Sequence, residues 1–343
     1  MARAVLALLA PCGAFASPLA PQHAGVQQNV VFKDYSPLFS NAEIARRLLS
    51  PLAAAQLRES WVRAGQAPGS YPIDLENERF VVYVPRGAPP PAGFALLVFV
   101  PPWDETSIPS GWSFVLDRDG IVFVSAGRSG NTANVLDRRV PLALAAAENV
   151  LHRYPVDPQR IYLAGFSGGS RVALRIALGY PDVFRGALLN AGSDPLGGNT
   201  NPLPPRDLFL RFQSSTHLLY VTGDRDTLRL DTDAGSLASM RKWCVFGADA
   251  QDTFGVGHEL MSSAVLERAL ERLTSPVHPD PARLTACRAA REHELQGELG
   301  QAAWLISSAQ RSKAHRLLLQ IDAQFGGLAA PRSVELARES AGR

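Results

Sequence analysis

Much of what commonly betrays a function is scarce in this chain. It has three cysteines in 343 residues, too few for a cysteine-rich metal cluster or a dense disulfide framework. No CxxC and no phosphate-cradling P-loop occur, and "HELMS" at 258 and "HELQG" at 293 both lack the second histidine of a zinc-protease helix. These gaps imply no metal and no nucleotide cofactor. Charge of one sign is equally scarce. The 34 Lys and Arg nearly balance 32 Asp and Glu, for a net +2 without any basic run, so no nucleic-acid partner is expected. No apolar stretch reaches the length of a membrane span. Histidines number only seven, which shortens the search for a catalytic base. What remains is 46% hydrophobic and 19% charged, the make-up of a globular protein with a sizeable core. The length suits one large domain with attachments or two modest domains. Oligomeric state is not encoded in any visible pattern.

The N-terminus reads as a leader. "MARAVLALLAPCGAFAS" carries one early positive charge at Arg3, a short apolar run and Ala14-Phe15-Ala16, an A-x-A cleavage pattern. Residues 1–16 are therefore expected to be a secretory signal, and the protein periplasmic or secreted. Pro11, just before Cys12, is a poor fit to a lipid-attachment site. Removal of the leader leaves Cys244 and Cys287. In an oxidising compartment such a pair invites a disulfide, and closing that loop would stabilise by roughly 4 kcal/mol. Two unrelated buried thiols are the alternative.

Along the rest of the chain, residues 17–40 look like a surface-draped lead-in, and "SNAEIARRLLSPLAAAQLRESWVRAG", 40–65, like a helical stretch broken at Pro51. Together, 17–75 are expected to be an N-terminal extension. From 76 to 275, short apolar runs ("RFVVYVP", "FALLVFVPP", "GIVFVSAG", "RIYLAG", "GALLNAG", "THLLYVTG") alternate with helical patterns ("VPLALAAAENVLHRY", "SRVALRIALGY", "ELMSSAVLERALERL"). Continuous apolar runs of this length suit strands buried on both faces. The expectation is an α/β class, with a mostly parallel sheet between helical layers. Residues 276–343 hold no strand-like run and read as two or three helices with a stop at Gly326-Gly327, a helical appendage.

The chemistry is concentrated in "RIYLAGFSGGSRVAL". Gly165-Phe166-Ser167-Gly168-Gly169 joins a strand to a helix, the pattern of a nucleophile elbow. The turn is so sharp that the residues two before and two after the serine must be small. A serine hydroxyl is a weak nucleophile and needs a base, which in turn needs an orienting acid. Behind an elbow the chain order is serine, acid, histidine. His23 and His152 precede the serine. His217 opens a strand at the wrong end of the sheet, and His278, His293 and His315 lie in the tail. His258 in "FGVGHEL" remains, with an ordinary loop histidine as the alternative. For the acid, Asp224, Asp226, Asp231 and Asp233 compete in "VTGDRDTLRLDTD". Asp226, three residues after Gly223, is the first candidate, Asp224 the main rival, and Asp231 the third.

An oxyanion hole needs two backbone N–H donors. Gly168 supplies one. The other should come from the loop after "ALLVFV", where the sequence reads Pro101-Pro102-Trp103-Asp104. Proline cannot donate, so Trp103 is the first available amide. Phe166, Trp103 and the segment 190–194, with Asn190 and Ser193, are expected to contribute substrate-binding walls, and the Pro- and Gly-rich loop "PLGGNTNPLPPRD" to cover the site. Trp103 and Trp112 are either stacking platforms or core.

The run from "RFVVYVP" to "GALLNAG", and above all "VDPQRIYLAGFSGGSRVALRIALGYPDVF", resembles the α/β-hydrolase superfamily. Within it, the chain is similar to secreted polyhydroxybutyrate-depolymerase-like and feruloyl-esterase-like esterases. The resemblance covers about 79–273. It implies the α/β-hydrolase fold, a serine esterase acting through an acyl-enzyme on a small or polymeric ester, catalytic roles for Ser167, Asp226 and His258, and an oxyanion role for Gly168. It does not extend to Pro101-Pro102, where the family usually has His-Gly, or to the tail. The same three side chains would serve a serine peptidase or an acyltransferase. A non-catalytic binding protein that keeps the fold is the remaining alternative.

Overall fold

Strand β3 (Phe94–Val100) shows how this sequence makes its sheet. Phe94, Leu96, Val98 and Val100 point into one apolar layer, whereas Ala95, Leu97 and Phe99 point into another. A strand that alternates between two cores must have helices on both faces, so its run is apolar throughout. The computed structural model describes residues 24–67, 69–275 and 279–342. The expected leader at 1–16 and Cys12 lie outside the described residues.

The other strands are β1 (Gly25–Val30), β2 (Phe80–Val84), β4 (Ile121–Ala126), β5 (Val156–Phe166), β6 (Gly186–Asn190), β7 (His217–Gly223) and β8 (Ala248–Thr253). They form one eight-stranded sheet in the order β1-β2-β4-β3-β5-β6-β7-β8. The pairs β1–β2 and β2–β4 are antiparallel, and every later pair is parallel. The stretch 17–40 is therefore not merely draped over the surface: "GVQQNV" is edge strand β1, with half-buried and exposed positions alternating along its first half. At the opposite edge, polar "ADAQDT" is β8.

The helices are α1 (Asn41–Leu48), α2 (Pro51–Arg63), α3 (Trp112–Asp119), α4 (Val140–Arg153), α5 (Gly168–Gly179), α6 (Arg206–Ser215), α7 (Thr227–Lys242), α8 (Ser263–Leu273), α9 (Pro281–Ser307), α10 (Arg311–Phe325) and α11 (Arg332–Ser340). α8 starts later than "ELMSSAVLERALERL" suggests, because Ser262 caps it by accepting the Val265 amide. One face of the sheet is covered by α4 and α5, the other by α3 and α8. Among the described residues no helix is long and apolar enough to cross a membrane.

Both flanking segments share the main core. Leu295 and Leu299 of α9, Leu318 and Phe325 of α10 and Leu336 of α11 sit in the same apolar cluster as α5. Cys244 and Cys287 are joined by a disulfide, which ties α9 to the turn after α7. At Gly326 and Gly327 the tail meets the 203–205 loop so closely that a Cβ on either glycine would strike main-chain atoms within 2.6 Å. At the other end, Arg47 of α1 is buried. It bonds Glu43 at 2.6 Å and Asp182 through two contacts of 2.6 and 2.9 Å. Its guanidinium lies 4.6 Å from the centre of the Tyr180 ring.

Candidate active site

The parallel strands aim their C-terminal ends at one rim, where chemistry gathers in open sheets. β5 ends at Phe166 and α5 begins at Gly168, leaving Ser167 between them at φ 53, ψ −118. A non-glycine residue holds such a backbone only where its surroundings impose it. Close packing does so here. A Cβ on Gly165 would lie 2.4 Å from the Gly169 main chain, and one on Gly169 would lie 1.9 Å from the Val100 oxygen. The Ser167 amide donates to Asn190 O at 2.8 Å, fixing the turn to the end of β6.

Two loops complete the rim. After β7, Asp226 begins α7 with its carboxyl largely buried. After β8, a loop carries His258. Gly223 allows that loop to approach, since a Cβ there would fall 2.2 Å from Val256 O. Asp224, the rival acid, accepts the Gly255 amide at 2.8 Å and so anchors the histidine loop. Asp231 is exposed on α7. Asp233, the fourth competitor, is buried, accepts from Thr222 Oγ1 at 2.6 Å and is bonded by Ser193. Burial pushes its carboxyl above the usual range, against the two hydroxyls. Ser167, His258 and Asp226 are brought side by side: His258 Nε2 lies 3.0 Å from Ser167 Oγ, and its Nδ1 lies 2.5 Å from Asp226 Oδ2. The Phe166 ring is 5.0 Å from the imidazole and holds its orientation from one side.

The serine elbow after β5, in a sheet so ordered with helices on both faces, is the arrangement that names the fold. The fold is an α/β-hydrolase.

The loop after β3 begins with two prolines, Pro101 and Pro102. Pro101 O accepts from Arg139 at 2.8 Å, Pro102 O accepts the Asn131 amide at 3.0 Å, and Asp104 accepts the Arg128 and Gly130 amides. These bonds hold the two-proline loop rigidly. Among the described residues, no hydrogen bond uses the amide of Trp103 or of Gly168. Trp103 is half-buried, with its ring 6.2 Å from Phe166.

Two expected wall residues, Asn190 and Ser193, are held inside the fold. Asn190 is buried, donates to Val221 O and accepts the Met261 amide, both at 2.8 Å. It ties β6 and β7 to the segment after His258, with both polar atoms of its side chain bonded. Ser193 is buried against Asp233, fastening α7 behind the acid loop. Neither side chain offers a wall to a substrate. Trp112 is fully buried and donates to Met261 O at 3.1 Å, which makes it core rather than a stacking platform. Of "PLGGNTNPLPPRD", Thr200 and Asn201 reach the cleft beside Ser167.

That cleft, of about 340 Å³, carries residues that the motif search passed over. Asn131 stands against the elbow, where a Cβ on Gly168 would come within 2.1 Å of its Oδ1. Arg139, Arg171, Arg175 and Arg229 line the walls, with Asp194 as the acidic counterpart. Among the described residues, no group of three or more His, Cys, Asp and Glu side chains is placed to hold a metal ion.

No family model matches the chain. Over 93 residues it is 34% identical to "Putative esterase NocK" of Nocardia uniformis subsp. tsuyamanensis, a match of 27% of this chain and 24% of that relative's length. Similar solved structures include the LpqC poly(3-hydroxybutyrate) depolymerase of Bordetella parapertussis. It is 16% identical, with a TM-score of 0.43, over 61% of this chain and 88% of the other. Est1E of Butyrivibrio proteoclasticus is 17% identical, with a TM-score of 0.42, over 59% and 98% of the two chains. The acetyl xylan esterase of Aspergillus awamori is 14% identical, with a TM-score of 0.44, over 57% and 94%.

Proposed function

We propose that the protein is a serine hydrolase of carboxylic esters. The observation that carries this reading is the unbroken chain from Ser167 Oγ through the His258 imidazole to Asp226, at 3.0 and 2.5 Å, on a strained elbow. In this reading His258 Nε2 takes the Ser167 proton as Oγ bonds the acyl carbon, and Asp226 orients the ring and stabilises its charged form. The Gly168 amide, helped by the positive end of α5, and the Trp103 amide receive the developing oxyanion. The bond to the alcohol oxygen breaks, and the proton passes from His258 to the departing alcohol. Water then gives its proton to His258, attacks the acyl-enzyme and releases the acid, and the proton returns to Ser167. Phe166 and Trp103 bound the reacting centre on its apolar side. The Cys244–Cys287 bridge and the leader read from the sequence support a place outside the reducing cytoplasm.

The test is turnover of p-nitrophenyl butyrate and labelling by a fluorophosphonate. Ser167→Ala is expected to lose about 10³-fold or more in kcat and all labelling. Equal labelling of both forms, or of neither, defeats the reading. Faster cleavage of the matching amide would point to a peptidase instead, and preferential transfer of the acyl group to an added alcohol would point to a transferase.

A further inference from the structure

We infer that the preferred ester carries a carboxylate, seated among the arginines that line the cleft beside Ser167. The inference rests on the serine-hydrolase reading and names the substrate class of that same site.

Arg139 comes from the turn before α4, Arg171 and Arg175 from α5, and Arg229 from α7, yet all four line one cleft with Ser167. The acidic group there is Asp194, 3.6 Å from Arg171 Nε. Arg139 is buried, and its bonds go to the carbonyl oxygens of Ser129 and Pro101. Arg175 gives one bond, to Leu48 O at 2.9 Å, while its buried Nε has no partner. Carbonyl oxygens satisfy N–H groups but do not cancel charge, and the acids that act on these cations, Asp104 on Arg139 and Asp194 on Arg175, do so at a distance and not as bonded pairs. Desolvation accordingly holds both guanidiniums below the ordinary arginine range, Arg139 at about 10.

The helix itself argues the same way. Arg171 and Arg175 are four residues apart on one face of α5, so like charges adjoin where they destabilise a helix. Arg171 also lies in the first turn, at the positive end of the helix dipole, where anions rather than cations are favoured. Charges set against both rules serve a purpose if an anion completes them. A guanidinium fork matches a carboxylate in two parallel bonds. The cleft is at the small end of ligand sites, which suits a short acid. A half-ester of a short dicarboxylic acid presents that carboxylate from the acyl part, whereas an ester of a hydroxy acid presents it from the alcohol part.

The test compares kcat/KM for matched pairs. p-Nitrophenyl glutarate is set against its neutral methyl ester for the acyl part. 4-Carboxyphenyl butyrate is set against its methyl ester for the alcohol part. At least one pair is expected to favour the acid by about 10-fold or more, and the pair that does so names the side. Arg175→Met should cut that preference severalfold. Should this variant fail to fold, Arg229→Gln, half-exposed on α7, reads the same preference and should also lower it. No preference in either pair, or one that survives in the folded variants, overturns the inference. If no ester is turned over, the hydrolase reading falls by itself. Calorimetry with glutarate and the Ser167→Ala form then decides the anion site: binding that weakens with Arg175→Met upholds it, and no binding overturns it.

Discussion

Two arginine sites along α5 handle positive charge in opposite ways. At the C-terminal end, Arg47 is buried between Glu43 and Asp182, bonded also to Gly179 O and laid over Tyr180. Every face of that guanidinium is answered within the protein, and a cation suits that end of the helix dipole. Beside the cleft, buried Arg139 and half-buried Arg175 of α5 meet carbonyl oxygens and open space. The first arrangement is closed and serves to dock α1 on the sheet domain. The second is the one that the proposed carboxylate would complete. Buried arginine therefore has no single meaning, and its counter-ions separate a staple from a binding group.

The comparison breaks most readily at Arg47. Arg47→Met strands the partly shielded Asp182 and leaves Glu43 to Arg46 alone, and is expected to cost about 3 kcal/mol in urea unfolding while leaving the acid-over-neutral ester preference intact. Loss of that preference would mean that the two sites are coupled. Arg175→Met should behave in reverse. No carboxylate is stranded, so stability should stay within about 1 kcal/mol of wild type, and a loss as large as that of Arg47→Met would show Arg175 to be a staple too. The smallest effect lies in acid. The hydrogen bond from Arg46, reinforced by Arg47, holds the Glu43 carboxyl down at about 2, below its ordinary value of 4.5. A lowered carboxyl contributes stability that is present above the ordinary value and is lost as pH falls towards 2. Because Glu43 and Arg46 are partly exposed, Glu43→Gln should remove only about 1 kcal/mol of it. It should flatten the acid limb of the unfolding profile between those two pH values.

The sequence made legible what local physics dictates. Apolar runs such as "FALLVFV" can be little else than strands covered on both faces, and Gly165 and Gly169 are spaced as a sharp turn demands. Serine, acid and histidine follow one another in the chain, and the fold then sets Ser167, Asp226 and His258 side by side. The edges were harder. "GVQQNV" and "ADAQDT" form strands although they are polar, because an edge strand needs partners on only one side. Asn190 and Ser193 follow a strand end, as wall residues would, but their polar groups are used inside the fold by Val221, Met261 and Asp233. Only the three-dimensional neighbourhood shows this. The arginine cleft was hidden for the same reason: positions 139, 171, 175 and 229 belong to three elements, and only the Arg171–Arg175 spacing on α5 was visible in one dimension.

The sulfur bridge between Cys244 and Cys287 has one more consequence. It spans the junction between sheet domain and helical tail. A protease that severs the backbone once, anywhere between those two cysteines, frees neither piece. The fragments stay one molecule until a reductant parts them.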